Sequence, residues 1–334
     1  MIESIQSLVR TVDAAVASAY LACFHERDAL VTLLFHSLFR DEREIKLNLV
    51  NPLERTTVEH FRQCIEYYLN AGYQFIRPDD LIAGLPSGGK YALLTFDDGY
   101  VNNRLALEVL EHYRVPAIFF VATNFVRQQK CFWWDVLYRE RVAQGATPRQ
   151  VYGEARKLKT LRTEQIEKVI RDRFGRDSLV PIGEIDRPFR PSELREFARH
   201  PLVHLGNHTA DHAILTNYPP DQIREQVLKA QDELAAMTGI RPSMIAYPNG
   251  AHTRTILETC AELGIQVGFT VRPEKNRLPI SSGPVDRLRL GRFAPLGIGH
   301  GPIDRQCRTY RSDVQLYATM RAGYLKLRRG EPAR

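Results

Sequence analysis

Short apolar runs alternate along the chain with segments of helical periodicity, and this alternation limits the fold more than any other feature. Seven runs predict strands, over Val31–Phe35, Ala92–Phe96, Ala117–Val121, Leu202–Leu205, Met244–Tyr247, Gln266–Val271 and Leu288–Phe293. Helical spacing lies between them, over Val58–Asn70, Val101–Tyr113, Asp221–Met237 and Thr253–Leu263. About seven strand–helix repeats favour an α/β barrel or a doubly wound sheet.

The composition is that of a folded globular protein. With 44% hydrophobic and 25% charged residues among 334, the chain can bury a core, and disorder, collagen-like repeats and coiled coil are excluded. The net charge of +7 is a mild excess that suits anionic partners but selects none of them. We expect no nucleic-acid partner, because the basic residues are dispersed and no recognised binding motif accompanies them.

Cysteine usage and the N-terminal pattern predict a cytoplasmic protein. The five cysteines are scattered, odd in number and without Cys-x-x-Cys spacing, so neither a disulfide framework nor a cysteine zinc site is indicated. Residues 1–27 predict an amphipathic helix rather than a signal peptide, and no run is long enough to span a membrane. The basic tail, with Lys326, Arg328 and Arg329, is either a solvated end or a peripheral contact with the inner membrane.

One stretch interrupts the strand–helix alternation. Residues from about 127 to 191 contain Trp133 and Trp134, followed by a basic helical pattern. We interpret the stretch as a helical insertion in a barrel domain over residues 28–330. A long excursion at the mouth of a barrel can form a lid or a wall of the site, and the alternative is a solvated helical hairpin.

Two adjacent carboxylates directly follow a predicted strand. Asp97 and Asp98 stand in the segment Thr-Phe-Asp-Asp-Gly-Tyr at the carboxyl end of Ala92–Phe96. Neighbouring carboxylates repel each other unless a cation or a shared proton separates their roles, which is typical of a metal ligand beside a general base. The alternative is a helix N-cap, because Asp is favoured just before a helix.

Two histidines four residues apart, His208 and His212, follow the strand predicted at Leu202–Leu205. On one helical turn they would project to the same side and could bind a single metal ion, although this spacing also occurs by chance on solvated helices. With Asp98 they offer two nitrogen ligands and one oxygen, and they leave Asp97 free as a base. We predict one divalent ion, zinc first, with nickel, cobalt or iron as alternatives.

The third motif is Thr-Gly-x-x-Pro at residues 238–242, followed by Tyr-Pro-Asn-Gly at 247–250. In this order the three motifs resemble the NodB-like polysaccharide deacetylases, carbohydrate esterase family four. The resemblance implies a distorted (β/α)7-type barrel and the metal-dependent hydrolysis of an N-acyl group on an amino sugar. It also implies roles for individual residues: Asp97 as general base, Asp98, His208 and His212 as metal ligands, and the backbone N–H of Asn249 as an oxyanion donor.

The chain departs from the family pattern at two places. Many members have an arginine that braces the catalytic aspartate, where this chain has Ala246. The late segment 287–293 resembles a strand of members with a Phe-Ala-Tyr-Pro-x-Gly variant, so Arg292 or Arg289 is expected to supply the brace; a basic surface strand is the alternative. This resemblance places the chain in a permuted branch of the family.

The usual late Leu-His-Asp motif, which supplies the catalytic acid, is also missing. Instead, Thr-Leu-Leu-Phe-His at residues 32–36 resembles the first strand of permuted members, so His36 is the candidate acid. The rival acid is His300, in a Gly-His-Gly loop. Alternatively, His36 has no catalytic role and is a hydrogen-bonded histidine of the core.

The resemblance to this family implies a hydrolase that removes an N-acetyl or N-formyl group from an amino sugar, and we expect it to act in surface polysaccharide or glycoconjugate biosynthesis. The expected substrate is a nucleotide- or lipid-linked precursor, and Trp133 and Trp134 either stack on a sugar or anchor the insertion. A catalytically inactive barrel that binds saccharide or a biosynthetic partner is the alternative, favoured by Ala246 and the missing late histidine. A glycosidase would need no histidine pair.

Overall fold

The computed structural model describes residues 2–280, 283 and 285–314. Its strands are β1 (Ala29–Phe35), β2 (Gln74–Phe75), β3 (Lys90–Phe96), β4 (Ala117–Val121), β5 (Val203–Asn207), β6 (Met244–Ala246), β7 (Val267–Phe269) and β8 (Asn276–Arg277). Its α-helices are α1 (Ile2–Cys23), α2 (Glu42–Lys46), α3 (Val58–Asn70), α4 (Pro78–Ala83), α5 (Ala106–Tyr113), α6 (Thr123–Gln128), α7 (Trp133–Ala143), α8 (Pro148–Leu158), α9 (Thr163–Phe174), α10 (Pro191–Phe197), α11 (Pro220–Thr238), α12 (Arg254–Glu262) and α13 (Ile303–Arg311).

The strands form one curled sheet in the order β7-β6-β5-β4-β3-β1-β8. All neighbours are parallel from β7 to β1, β8 runs antiparallel to β1, and β2 pairs with β3 off this path. Both faces of β1 and β4 are buried, as is usual when helices cover a parallel sheet. This is the predicted distorted (β/α) barrel, and the doubly wound alternative is wrong.

The last predicted strand, Leu288–Phe293, is not a regular strand. A 3₁₀ turn occupies Asp286–Arg289, and the following residues form two isolated bridges. Leu290 bonds to β7, with its N–H 2.8 Å from the Gly268 carbonyl, whereas Phe293 bonds to β1, with its N–H 2.8 Å from the Thr32 carbonyl. The segment lies between β7 and β1 and is shared by them, so it has too few bonds to either strand for a ladder.

Helix prediction was accurate at α3, where the Thr57 hydroxyl accepts a hydrogen bond from the His60 N–H and fixes the start. The helix predicted over Val101–Tyr113 begins as a 3₁₀ turn and becomes α-helical only at Ala106. Other contacts hold this first turn, because the Val101 N–H donates to the Arg187 carbonyl and the side chain of Asn103 donates to the His36 carbonyl.

An aromatic stack forms the centre of the core between the sheet and its helices. Phe96 stacks between Phe35 and Phe119 at centroid distances of 5.3 and 4.8 Å, and Phe61 of α3 packs edge-on against it. The register pairs Phe35 of β1 with Phe96 of β3, so both strands end at the same level. The residues that follow each strand therefore lie side by side at one rim of the barrel.

The chain between β4 and β5 holds the helices α6 to α10 and has a small core of its own, which includes Trp133, Val136 and Ile166. Buried ion pairs, Lys130–Glu167 and Arg139–Asp186, cross this segment. We call residues 127–191 the insertion below.

Helix α1 contacts the C-terminal helix α13, where the Arg308 guanidinium lies 3.1 Å from the Ser18 hydroxyl. Within residues 2–280, 283 and 285–314, every helix is too short or too polar to cross a membrane. The predicted basic tail lies outside the described residues.

Candidate active site

Asp97 and Asp98 follow β3 and are both buried. The Asp97 N–H donates to the Phe35 carbonyl at 2.9 Å, which extends the β1–β3 pairing by one residue. The chain then turns sharply, because Asp98 has a φ of 76° and Gly99 a φ of 91°. A positive φ is uncommon for residues other than glycine, and aspartate is one of the few that adopt it readily.

Arg292 forms a bidentate pair with Asp97, donating two parallel hydrogen bonds to its carboxylate. Its Nη1 and Nη2 atoms each lie 2.7 Å from one Asp97 carboxylate oxygen, and its Nε donates to the Thr270 carbonyl at 2.9 Å. Burial raises the pKa of Asp97, but the charge of Arg292 outweighs this effect and lowers it. Asp97 is therefore ionised at neutral pH and held in one orientation. Arg289, the other candidate, is exposed and pairs with Asp286.

His208 and His212 approach Asp98, although not in the way that their spacing predicted. The segment after β5 is a loop and not a helical turn, because Thr209 and His212 have φ values of 61° and 49°. The Asn207 side chain accepts from the Thr209 N–H, and the Thr209 hydroxyl accepts from the Ala213 N–H, each at 2.7 Å. These bonds hold a loop in which both imidazoles still meet.

The atoms of this cluster suit a cation. The Nε2 atoms of His208 and His212 both lie 3.3 Å from Asp98 Oδ1, and all three candidate ligand atoms lie within 4.8 Å of one another. Nδ1 of His208 is 2.8 Å from the Ala246 carbonyl, so it carries the proton and leaves a lone pair on Nε2. Asp98 Oδ1 is buried without a hydrogen-bond donor. Acceptors that face one another in this way fit a divalent ion with nitrogen and oxygen ligands.

His36 follows β1 and pairs with a residue that the sequence analysis missed. Its Nδ1 lies 2.6 Å from Oε1 of Glu54, which is buried in a loop before α3. Burial lowers the pKa of His36, but the negative charges of Glu54, Asp98 and Asp97 outweigh it and raise the pKa to about 9. His36 is therefore protonated at neutral pH, as an acid must be. Glu54 belongs to no motif, so nothing local in the sequence distinguishes it.

The turn after β6 brings Asn249 to the same rim. Asn249 has a φ of 55°, and Gly250 after it has a φ of 66°. A Cβ atom at Gly250 would lie 2.6 Å from the backbone nitrogen of Val271, so only glycine fits here. The side-chain oxygen of Asn249 accepts a hydrogen bond from Lys159 Nζ at 2.7 Å. Lys159 comes from the insertion, and the sequence analysis did not assign it to the site.

The insertion also contributes an aromatic wall. The Trp134 ring packs against His212 at a centroid distance of 4.5 Å, and its Nε1 donates to the Tyr100 hydroxyl at 2.8 Å. The Tyr100 hydroxyl donates in turn to Asp135 at 2.7 Å. Trp133, in contrast, is buried in the insertion's own core and serves as its anchor. The insertion is therefore packed against the site and is not a detached, solvated hairpin.

Comparison with known proteins identifies the family to which the chain belongs. A sequence profile described as polysaccharide deacetylase matches residues 85–268, which is more than half of the chain. The chain belongs to the polysaccharide deacetylase family. The matched region of this deacetylase includes the two aspartates after β3, both histidines and the turn at Asn249. Its assignment to the permuted branch stays a prediction.

Solved deacetylase structures share the fold at low sequence identity. The Streptococcus pyogenes deacetylase PplD in complex with acetate matches with a TM-score of 0.56 and 18% identity, over 85% of this chain and 99% of that one. IcaB from Ammonifex degensii gives a TM-score of 0.56 at 18% identity, over 86% and 99%. The de-N-acetylase from Aggregatibacter actinomycetemcomitans gives a TM-score of 0.53 at 13% identity, and the match covers 84% of this chain and 100% of that one. No curated protein sequence is significantly similar to the chain.

Proposed function

We propose that this deacetylase hydrolyses an N-acetyl or N-formyl group on an amino sugar and that it depends on a divalent metal ion. One observation carries the proposal: an aspartate braced by a buried arginine borders a cluster of one carboxylate and two imidazoles. Asp97 Oδ2 lies 4.0 Å from Nε2 of His208, so the base candidate adjoins the ligand candidates. Asp98, His208 and His212 would hold the ion, most simply zinc, with nickel, cobalt or iron as alternatives.

The first half of the reaction needs a base and a polarised carbonyl. A bound divalent ion would supply Lewis acidity toward the amide carbonyl and a water molecule. Asp97 takes the proton of the attacking water, because Arg292 keeps it ionised and prevents it from rotating. The backbone N–H of Asn249 is the proposed donor to the oxyanion that develops on the carbonyl.

The second half needs an acid, because an amine leaves poorly unless it is protonated. His36 is the proposed donor of that proton, and Glu54 keeps it charged. After the carbon–nitrogen bond breaks, the products are a free amino sugar and acetate or formate. The rival acid, His300, lies half-buried in the loop at 299–301.

The proposed substrate is a nucleotide- or lipid-linked precursor of a surface polysaccharide or glycoconjugate, made in the cytoplasm or at the inner membrane. The expectation of a reducing compartment rests on the cysteine pattern, which is five scattered residues without Cys-x-x-Cys spacing. We propose no nucleic-acid partner.

An inactive, saccharide-binding barrel was the alternative from a different functional class. It relied on Ala246, which replaces the family's brace, and on the missing late histidine. Arg292 makes the bracing contacts from another segment, and His36 offers a charged imidazole from β1. Both observations support the enzyme over the binding protein.

Replacing Asp97 by Asn tests the proposal, because the amide keeps the shape of the side chain and removes the base. Release of acetate or formate from N-acetylated and N-formylated amino sugars should fall about 10²- to 10⁴-fold, while bound metal per chain is unchanged. Asp79→Asn, an exposed carboxylate at the start of α4, is the matched control and should keep full activity. Full turnover in Asp97→Asn would refute the assignment of the base, and no turnover by the wild type on any such sugar would refute the function.

A further inference from the structure

Lys159 reaches the rim of the barrel from the insertion. It caps the C-terminus of α8, and its ammonium group donates to Oδ1 of Asn249 at 2.7 Å. Its backbone is fixed to the loop after β5, because the side chain of Asn217 donates to the carbonyls of Lys159 and Leu161, each at 2.9 Å. The position of Lys159 beside the proposed oxyanion donor is therefore built into the packing of the insertion on the barrel.

Among the described residues, Lys159 has no acidic partner for its charge. Within the described part of the chain, no carboxylate oxygen lies within 4.0 Å of its ammonium group, whereas Lys130 and Lys168 of the insertion pair with Glu167 and Asp172. The Asn249 amide occupies one of three N–H donors and cannot neutralise the charge.

Holding this charge at the site is unfavourable. Lys159 is half-buried, and burial lowers its pKa, an effect that the negative charge of Asp98 only partly opposes. A partly buried cation without a counter-ion costs free energy that a bound anion would recover. The cation lies beside Asn249, whose backbone N–H is the proposed oxyanion donor, so an anionic group on a bound substrate can pair with it there.

We propose that Lys159 binds an anionic group, a phosphate or a carboxylate, on the amino sugar that the deacetylase acts on. This inference rests on the proposed function, since it specifies the substrate class of the same site. Lysine acts as a point charge and suits either anion, so experiment must decide between a phosphate and a carboxylate. The site then discriminates between charged and neutral N-acylated sugars through one residue of the insertion.

Binding measured by calorimetry in the Asp97→Asn variant tests the inference without consuming the sugar. The probes are neutral methyl N-acetylglucosaminide, N-acetylglucosamine 1-phosphate for the phosphate, and N-acetylmuramic acid for the carboxylate. We expect at least one anionic sugar to bind about tenfold more tightly than the neutral one, because hydrogen bonds to charged groups are the stronger ones. Adding Lys159→Met, which keeps the aliphatic stem, should bring that ratio close to one, and Lys159→Arg should retain the preference.

Lys157→Met is the matched control, because it removes the same charge from the exposed last turn of α8 and should leave the ratio unchanged. Equal binding of all three sugars, no binding of either anionic sugar, or a preference that survives Lys159→Met would overturn the inference. Anion-selective binding, with no release of acetate or formate by the wild type from any N-acetylated or N-formylated amino sugar, would leave the role of Lys159 standing and reject the proposed hydrolysis. Thermal unfolding of Lys159→Met separates lost binding from lost folding.

Discussion

Asp97 and Asp98 are adjacent in sequence, yet their neighbours give them different chemistry. The carboxylate of Asp97 is occupied by a guanidinium, which keeps it ionised and fixed. Asp98 Oδ1 faces two imidazole nitrogens and receives no hydrogen bond. One aspartate is thus suited to move a proton and the other to hold a cation.

The His36–Glu54 pair makes a prediction about pH. His36 must be protonated to act as an acid, so activity should be lost as the pH rises through its pKa of about 9. Glu54→Gln removes the charge that most raises this pKa. The alkaline limb of the kcat/KM profile should therefore move to lower pH by about 1–3 units.

The control for this prediction is Glu258→Gln, which changes an exposed glutamate on α12 in the same way and should leave the profile in place. If the alkaline limb stays unchanged in Glu54→Gln, His36 is not the acid, and His300 becomes the candidate to test next.

At the level of single residues, contiguous motifs were predictable and long-range partners were not. The aspartates and histidines were found because each pair stands next to a recognisable strand end. Glu54 and Lys159 lie in a loop and an insertion, and only tertiary packing brings them to the rim. Arg292 was one of two arginines proposed as the brace. Its segment is shared between two strands, so inward and outward side chains do not alternate regularly there, and the sequence could not select one arginine.

The site is built at strand ends, where the chain leaves the sheet in strained turns. Asp98, Thr209, His212 and Asn249 all have left-handed backbones, one or more after each of β3, β5 and β6. Asp98 and His212 are candidate metal ligands, Asn249 is the proposed oxyanion donor, and Thr209 adjoins the candidate ligand His208. The elements therefore supply a rigid frame, and the first residues beyond them supply the chemistry.

Gly250 tests how tightly the turn after β6 is packed. Gly250→Ala combines a left-handed backbone with a Cβ only 2.6 Å from the Val271 nitrogen. Gly239→Ala, at the end of α11, has a similar φ of 81° and no atom within 4 Å, so it isolates the backbone effect. We expect Gly239→Ala to lower the free energy of unfolding by about 1 kcal/mol and Gly250→Ala by about 1–3 kcal/mol more. Denaturant unfolding measures both, and equal losses would mean that the turn is not tightly packed.

Regular elements with a clear period were predicted closely, and irregular ones were not. Helix α3 and strand β4 have the bounds that their patterns indicated, because a cap or a continuous apolar run marks each end. The final apolar run closes the barrel through two bridges instead of a strand. The His208–His212 spacing suggested a helical turn, but hydrogen bonds from Asn207 and Thr209 hold the segment as a loop.

For the whole molecule, barrel and insertion together form the candidate site. The barrel supplies the charged groups along one rim, and the insertion packs Trp134 and Lys159 against them. Related structures at 18% identity share the fold, so the substrate must be sought in residues such as these and not in the barrel itself. Such residues were not assignable from composition, because the net charge of +7 is spread over the whole chain.

The central claim is that Asp98, His208 and His212 hold one catalytic metal ion. Bound metal per chain, measured by elemental analysis of protein purified without added metal, tests it most directly in the wild type, in His208→Ala and in His204→Ala. His204 lies on the same strand, β5, outside the ligand cluster, and serves as the control. We predict about one equivalent in the wild type and in His204→Ala, and a large loss in His208→Ala. No metal in the wild type even after reconstitution, or equal metal in all three proteins, would contradict the account.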